Sequence, residues 1–235
     1  MSDSLRSFPS LDHLYLVNTG IHWLQPIIPH VNLKNLCIAG TWQVPHSWQY
    51  ITIDITMIAE WFPNLTFLTL DCDWQIFHQI STPQVNFRHV KSLSIRSNVL
   101  SNVHGLTSRV SFPSLNEIEN KGEDMYGLAL IVEAWGERVE TLVLSELEPY
   151  DGLSQHLSEI LGDSGKLPRL SELAFREMNQ TRAIDLALVV HAVMRRNDSA
   201  TNDQDELNRI TTVTLPSFYN SDPNLDRWDV AMKWE

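Results

Sequence analysis

The sequence predicts an α/β solenoid, a stack of strand–turn–helix repeats that share one continuous core. Three observations carry this: a short aliphatic pattern that recurs along the chain, the spacing of its copies, and helical periodicity in the intervals between them. Four segments read alike, Phe8–Leu16, Phe62–Leu70, Phe112–Ile118 and Leu167–Phe175, each an apolar residue, Pro, and then apolar positions three and two apart. Copies without the proline run through Leu33/Leu36/Ile38, Val90/Leu93/Ile95, Val139/Leu142/Leu144 and Ile210/Val213/Leu215. The first aliphatic positions, Leu11, Leu33, Leu65, Val90, Leu115, Val139, Leu170 and Ile210, lie 22 to 40 residues apart. That leaves room for one strand and one return segment per copy, too little to bury its own apolar edge without neighbours.

Within each copy a short strand sends alternate side chains to opposite faces, so Leu14 and Leu16 point inward while His13, Tyr15 and Val17 point outward. Proline just ahead of the strand stops any preceding helix and holds the residue before it extended. Between strands, Met125–Trp135, Leu153–Leu161 and Ile184–Met194 repeat apolar residues at helical spacing and are the expected return helices. Tyr50–Phe62 satisfies both periods; helix is the assignment, because the copy at Phe62 follows at once and needs a return segment before it. The fifth copy is degenerate, with Asn120 where Leu16 and Leu70 stand, so its strand is expected to be short or distorted. Asn197–Glu206 is polar and acidic and reads as an exposed loop. Trp23, Trp42, Trp48, Trp61, Trp74 and Trp135 fall in return segments, where large rings fill the space between helix and sheet. Trp228 and Met232 have helical spacing and read as a terminal cap. The expected organisation is a single domain over 1–235, with about eight irregular repeats over 8–218 and a C-terminal cap over 219–235.

Composition narrows the function. The formal charge of −12 disfavours phosphate backbones and anionic lipid, so neither nucleic acid nor membrane is an expected partner. The apolar runs Leu128–Ala134 and Leu186–Met194 are too short to span a bilayer. Two cysteines make no disulfide framework and no apolar leader follows Met1, which points to cytoplasm or nucleus. The nine histidines show no close metal-ligand spacing, and the dispersed glycines form no phosphate-cradling loop. Asp71 and Asp73 could share one face of an extended segment, and Cys37 could approach Cys72; solvated turn residues and small fillers are the readings preferred for them. No catalytic, cofactor or metal-binding residues are expected.

The repeated Phe-Pro-x-Leu-x-x-Leu-x-Leu pattern, irregular repeat length and scattered tryptophans resemble the leucine-rich-repeat portion of fungal-type F-box proteins, over about Phe8 to Phe218. The resemblance implies a right-handed horseshoe with a parallel sheet of about eight short strands on its concave side and helices or irregular segments on the convex side. It also implies a recognition module that captures a substrate for ubiquitination. An F-box is not present ahead of Phe8, so a ligase adaptor is an expected partner only where an F-box is supplied elsewhere.

On this register the concave positions form three ladders. The first holds His13, Asn35, Phe67, Ser92, Glu117, Thr141, Glu172 and Thr212. The second holds Tyr15, Cys37, Thr69, Ser94, Glu119, Val143, Ala174 and Thr214. The third holds Val17, Ala39, Asp71, Arg96, Lys121, Ser145, Arg176 and Pro216. The expected partner-binding set is His13, Tyr15, Asn35, Phe67, Thr69, Asp71, Ser94, Arg96, Glu117, Glu119, Glu172 and Arg176. Tyr15 and Phe67 lead as aromatic anchors, with Arg96 and Arg176 as charged ones. The function expected is non-enzymatic binding of a protein partner; the alternative is a ligand-binding protein or enzyme with a site assembled from His13, Asp71, Cys37 and Arg96.

Overall fold

The structure is a computed structural model that describes residues 11–17, 32–40, 51–53, 55–71, 74–76, 84–96, 100–122, 125–147, 152–163, 165–177, 185–202, 209–217 and 230–234. The fold is α/β and its strands are parallel. The chain divides into two compact units, Met1–Leu115 and Asn116–Glu235.

The first unit holds β1 (His13–Val17), β2 (Asn35–Ala39), β3 (Ile51–Ile53), β4 (Phe67–Asp71), β5 (Trp74–Ile76), β6 (Val85–Asn86), β7 (Ser92–Arg96) and β8 (Val110–Ser111). Helices α1 (Ile55–Trp61) and α2 (Leu100–Thr107) follow β3 and β7. Its main sheet runs β1-β2-β4-β7. The register aligns His13, Asn35, Phe67 and Ser92 as one rung and Tyr15, Cys37, Thr69 and Ser94 as the next. Two short parallel ladders, β3 with β5 and β6 with β8, join the return segments. Inward-pointing Leu36, Ile38, Leu68, Leu70, Leu93 and Ile95 are buried, each contributing about 1.5–3 kcal/mol relative to exposure. Phe87 and Phe112 are also buried and stack with ring centroids 5.3 Å apart.

The second unit holds β9 (Glu117–Lys121), β10 (Thr141–Ser145), β11 (Glu172–Arg176), β12 (Thr212–Leu215) and β13 (Ala231–Trp234), ordered as in the chain. Helices α3 (Met125–Trp135), α4 (Leu153–Gly162) and α5 (Leu186–Asn202) return the chain between strands. Glu117, Thr141, Glu172 and Thr212 form one rung, and Glu119, Val143, Ala174 and Thr214 the next.

Strand entry is hydrogen-bonded in the same way at six of the repeat junctions. At each of these the residue just before the strand offers its carbonyl to two N–H groups of the next repeat. Asp12 accepts from Lys34 and Asn35, Lys34 from Thr66 and Phe67, and Thr66 from Lys91 and Ser92. In the second unit Asn116, Glu140 and Ser171 do the same. Thr66, Ser171 and Thr211 add their hydroxyls to the preceding carbonyl, at 3.1, 3.3 and 3.2 Å. Strand exit is also shared in the second unit: Gly122, Glu146 and Glu177, each five residues past a strand start, have φ of 95°, 53° and 51°. There the Gly122 and Glu146 N–H groups donate to Ser145 and Arg176 of the next strand.

The eight expected strands stand where the aliphatic pattern puts them, and α3 matches Met125–Trp135 residue for residue. Four expectations need correction. Ile51–Ile53 is a strand and the helix begins only at Ile55, so the two periods read in Tyr50–Phe62 belong to consecutive elements. The fifth copy forms a full five-residue strand paired along its length with β10, because backbone ladders need no particular side chain. Asn197–Asn202 continues α5 instead of opening a loop, since the Asn197 amide donates to and accepts from the Ile210 backbone at 3.0 and 2.9 Å. Ala231–Trp234 is a strand on β12 in place of a helical cap, with Met232 and Trp234 in register with Val213 and Leu215. Trp135 is buried, Trp61 half-buried, and Trp74 begins β5. Trp23, Trp42, Trp48, Cys72, Asp73 and Trp228 lie outside the described residues.

Candidate interaction face

The face of each sheet opposite its aliphatic core carries the residues singled out from sequence. In the first unit the strand alternation turns His13, Tyr15 and Val17 of β1 away from the core, and Phe67, Thr69 and Asp71 of β4 likewise. Tyr15 is 66% exposed, Phe67 49% and Val17 42%. Asn35 and Cys37, between them on β2, are half-buried and small. Two strand spacings separate β1 from β4, about 10 Å, so the rings of Tyr15 and Phe67 flank a shallow strip floored by Cys37 and Thr69.

At the far end of these strands Arg96 donates through Nε to Asp71 Oδ1 at 2.6 Å. The side chains are 9% and 21% exposed, so this is a part-buried pair that fixes β7 against β4. Ser94, on the same strand as Arg96, is buried, and its hydroxyl has no partner among the described residues. At the near end, exposed His13 lies 2.6 Å from Asp12, and that contact holds the Asp12 carboxyl below its ordinary value. The sign follows from the lowered value: whatever this pair contributes is present above the ordinary carboxylate range and is lost as pH falls through the lowered one.

In the second unit the corresponding face is more tightly furnished. Ser145 donates to Glu119 Oε1 at 3.0 Å, Lys121 lies 4.0 Å from Glu146, and Lys233 lies 4.0 Å from Glu172. Val143 and Ala174 are buried on it, Glu117 is half-buried and Arg176 exposed. Of the residues named from sequence, the structure joins Asp71 to Arg96 and arrays Tyr15, Phe67 and Thr69 on one face. For the alternative constellation it gives His13 to Asp12 and Arg96 to Asp71. The role of Arg96 as a pairing group was readable in advance, since Asp71 and Arg96 occupy the same ladder position on neighbouring strands. Val17, outside the expected partner-binding set, is exposed on this same face beside Tyr15.

No known protein family and no curated protein matches this sequence. Among solved structures, the chain is similar to the crystal structure of a Bacteroides fragilis protein from a structural genomics programme. The TM-score is 0.58 at 12% identity, and the alignment covers 100% of this chain and 68% of that one. At that identity the likeness speaks for the fold alone. Among the described residues no helix is long and apolar enough to cross a membrane.

Proposed function

We propose that this chain is a leucine-rich-repeat recognition module that binds a protein partner on the outward face of its first-unit sheet. In this reading the repeats wind as a right-handed horseshoe and that face is concave. One observation carries it: of the six exposed large apolar side chains among the described residues, Tyr15, Val17 and Phe67 share this one face. Aromatic side chains held on a rigid sheet and left open to water are the groups that bury most favourably against a partner. The resemblance to F-box proteins supplies the setting, the substrate-recognition part of an SCF-type ubiquitin-ligase receptor in cytoplasm or nucleus, joined to its adaptor through an F-box supplied elsewhere.

The test keeps Arg96, because removing it breaks a part-buried ion pair and confuses folding with binding. Photo-crosslinking residues placed at 15 and 67 are compared with one at Tyr126, which is exposed on α3 of the second unit. Captured protein is then counterscreened with the double variant Tyr15→Ser/Phe67→Ser. The expected result is one partner crosslinked from both sheet positions and not from 126, its affinity reduced at least tenfold by the double variant. An unchanged affinity in a variant with an unchanged melting temperature defeats the reading.

A further inference from the structure

The entry turns of the first unit build a second, chemically different feature. Lys34, Thr66 and Lys91 are the residues just before β2, β4 and β7, and Asn32, Asn64 and His89 stand two residues ahead of each. Stacked by the strand register, these side chains, with Ser114, line a groove of about 330 Å³. Two ammoniums and an imidazole line it and no carboxylate does. In a chain of net charge −12 such a composition runs against the average surface. Lys34, His89 and Lys91 are exposed, and Arg88 beside His89 adds a further exposed cation. Asp12, which borders Lys34 from the β1 side, is hydrogen-bonded to His13.

The remaining polar groups narrow the ligand. The backbone N–H groups of Lys34, Thr66 and Lys91 are spent on the inter-repeat ladder. The hydroxyl of Thr66 donates to Lys34 O at 3.1 Å and that of Ser114 to Arg88 O at 2.7 Å, so both present only lone pairs to the groove. A ligand seated along this lining accepts from cations on both sides of β4, which lie about 10 Å apart at the backbone, and donates to the Thr66 oxygen between them. A carboxylate cannot donate and offers acceptors in one plane. A phosphate, tetrahedral, carrying about −1.5 to −2 charges near neutral pH and retaining a P–OH for part of the time, does both.

We propose that this groove binds a phosphate group. The site lies on the strand-entry edge and stands independently of the partner-binding reading of the sheet face. The experiment titrates the full chain with inorganic phosphate, with sulfate, and with a phosphoserine peptide beside its unphosphorylated twin, following backbone amide NMR shifts and calorimetry. Saturable shifts centred on residues 34, 66 and 91 are expected, with phosphate bound at least several-fold more tightly than sulfate, which has no proton to donate. Lys34→Gln/Lys91→Gln should weaken phosphate at least tenfold. Lys166→Gln/Arg169→Gln, which removes the same charge from exposed positions of the second unit, should leave it within twofold. A phosphopeptide preferred over free phosphate places the group on a peptide, and equal affinity makes the ligand free phosphate; either supports the site. Absence of saturable shifts in the unmodified chain, or equal weakening by both double variants, overturns it.

Discussion

Asn120 is the residue at which pattern and structure disagree most. It is fully buried on the inward face of β9, in register with Leu144, and neither its amide nitrogen nor its oxygen has a hydrogen-bond partner among the described residues. An unsatisfied buried polar group costs about 1–3 kcal/mol. Asn120→Leu restores the aliphatic rung of the other copies, and chemical denaturation should show stabilisation of about 1–3 kcal/mol with no change in m-value. A loss of stability would mean that the Asn120 amide is hydrogen-bonded in the folded chain. Arg196 is the opposite case, a buried polar side chain that is well partnered. It donates to the Leu161 carbonyl at the end of α4, at 3.5 Å, and to the Leu167 carbonyl in the turn before β11. Burial pulls its value down to about 10, against the opposing influence of Asp163. Hydrogen bonds from a charged group are worth about 1.5–3 kcal/mol each, so Arg196→Met should lose roughly 2 kcal/mol or more despite its similar volume. Urea unfolding checks this, and a loss under about 0.5 kcal/mol would show that the guanidinium is not fastening α4 to β11.

At the scale of elements, the strands were legible because their signal is redundant: each inward pair such as Leu68/Leu70 or Leu142/Leu144 has no other reason to alternate. The helix ends were less so. Asn197 reads as the start of a polar loop and Arg196 lies past the expected helix end at Met194, yet both point into the core and hydrogen-bond backbone across the repeat. Nothing in composition separates a polar side chain that faces water from one that satisfies a distant carbonyl. The strand exits show the same limit. Gly122 announces a left-handed turn, whereas Glu146 and Glu177 adopt one at the same repeat position with a residue type that disfavours it. The left-handed conformation costs a side-chain-bearing residue roughly 1–2 kcal/mol, partly offset by the lower entropy of its unfolded state. Glu177→Gly, at an exposed site, should therefore raise stability by about 0.5–1 kcal/mol, while Gly122→Ala should lower it by about 1 kcal/mol. Thermal melts of the pair decide the matter; changes of the same sign would remove the shared-turn explanation. On the sheet face, the outward placement of Tyr15 and Phe67 was legible from register alone, but the entry-edge groove was not. Its lining comes from turn positions in separate repeats that acquire meaning only when stacked.

At the scale of the molecule, the proposed repeat architecture makes cohesion a nearest-neighbour property. Every ladder bond of the second unit runs from one repeat to the next, and the entry carbonyls hand hydrogen bonds along the same series. A solenoid, the form proposed above, has a stability close to a sum of repeat terms and interface terms, so a local defect should be felt most by the repeats that touch it. Phe175 offers the cleanest defect: it is fully buried on the inward face of β11, in register with Leu144, and truncation leaves a cavity costing about 3–5 kcal/mol. Native-state hydrogen exchange of Phe175→Ala should show protection falling most at β10, β11 and β12 and less at β9 and β13, in step with distance from β11 along the strand order. A globular core shared equally by all strands predicts uniform loss of protection across β9 to β13 instead. A uniform result would show that the second unit folds all-or-none, and the repeat pattern would then describe how its strands arose in sequence without describing how they hold together.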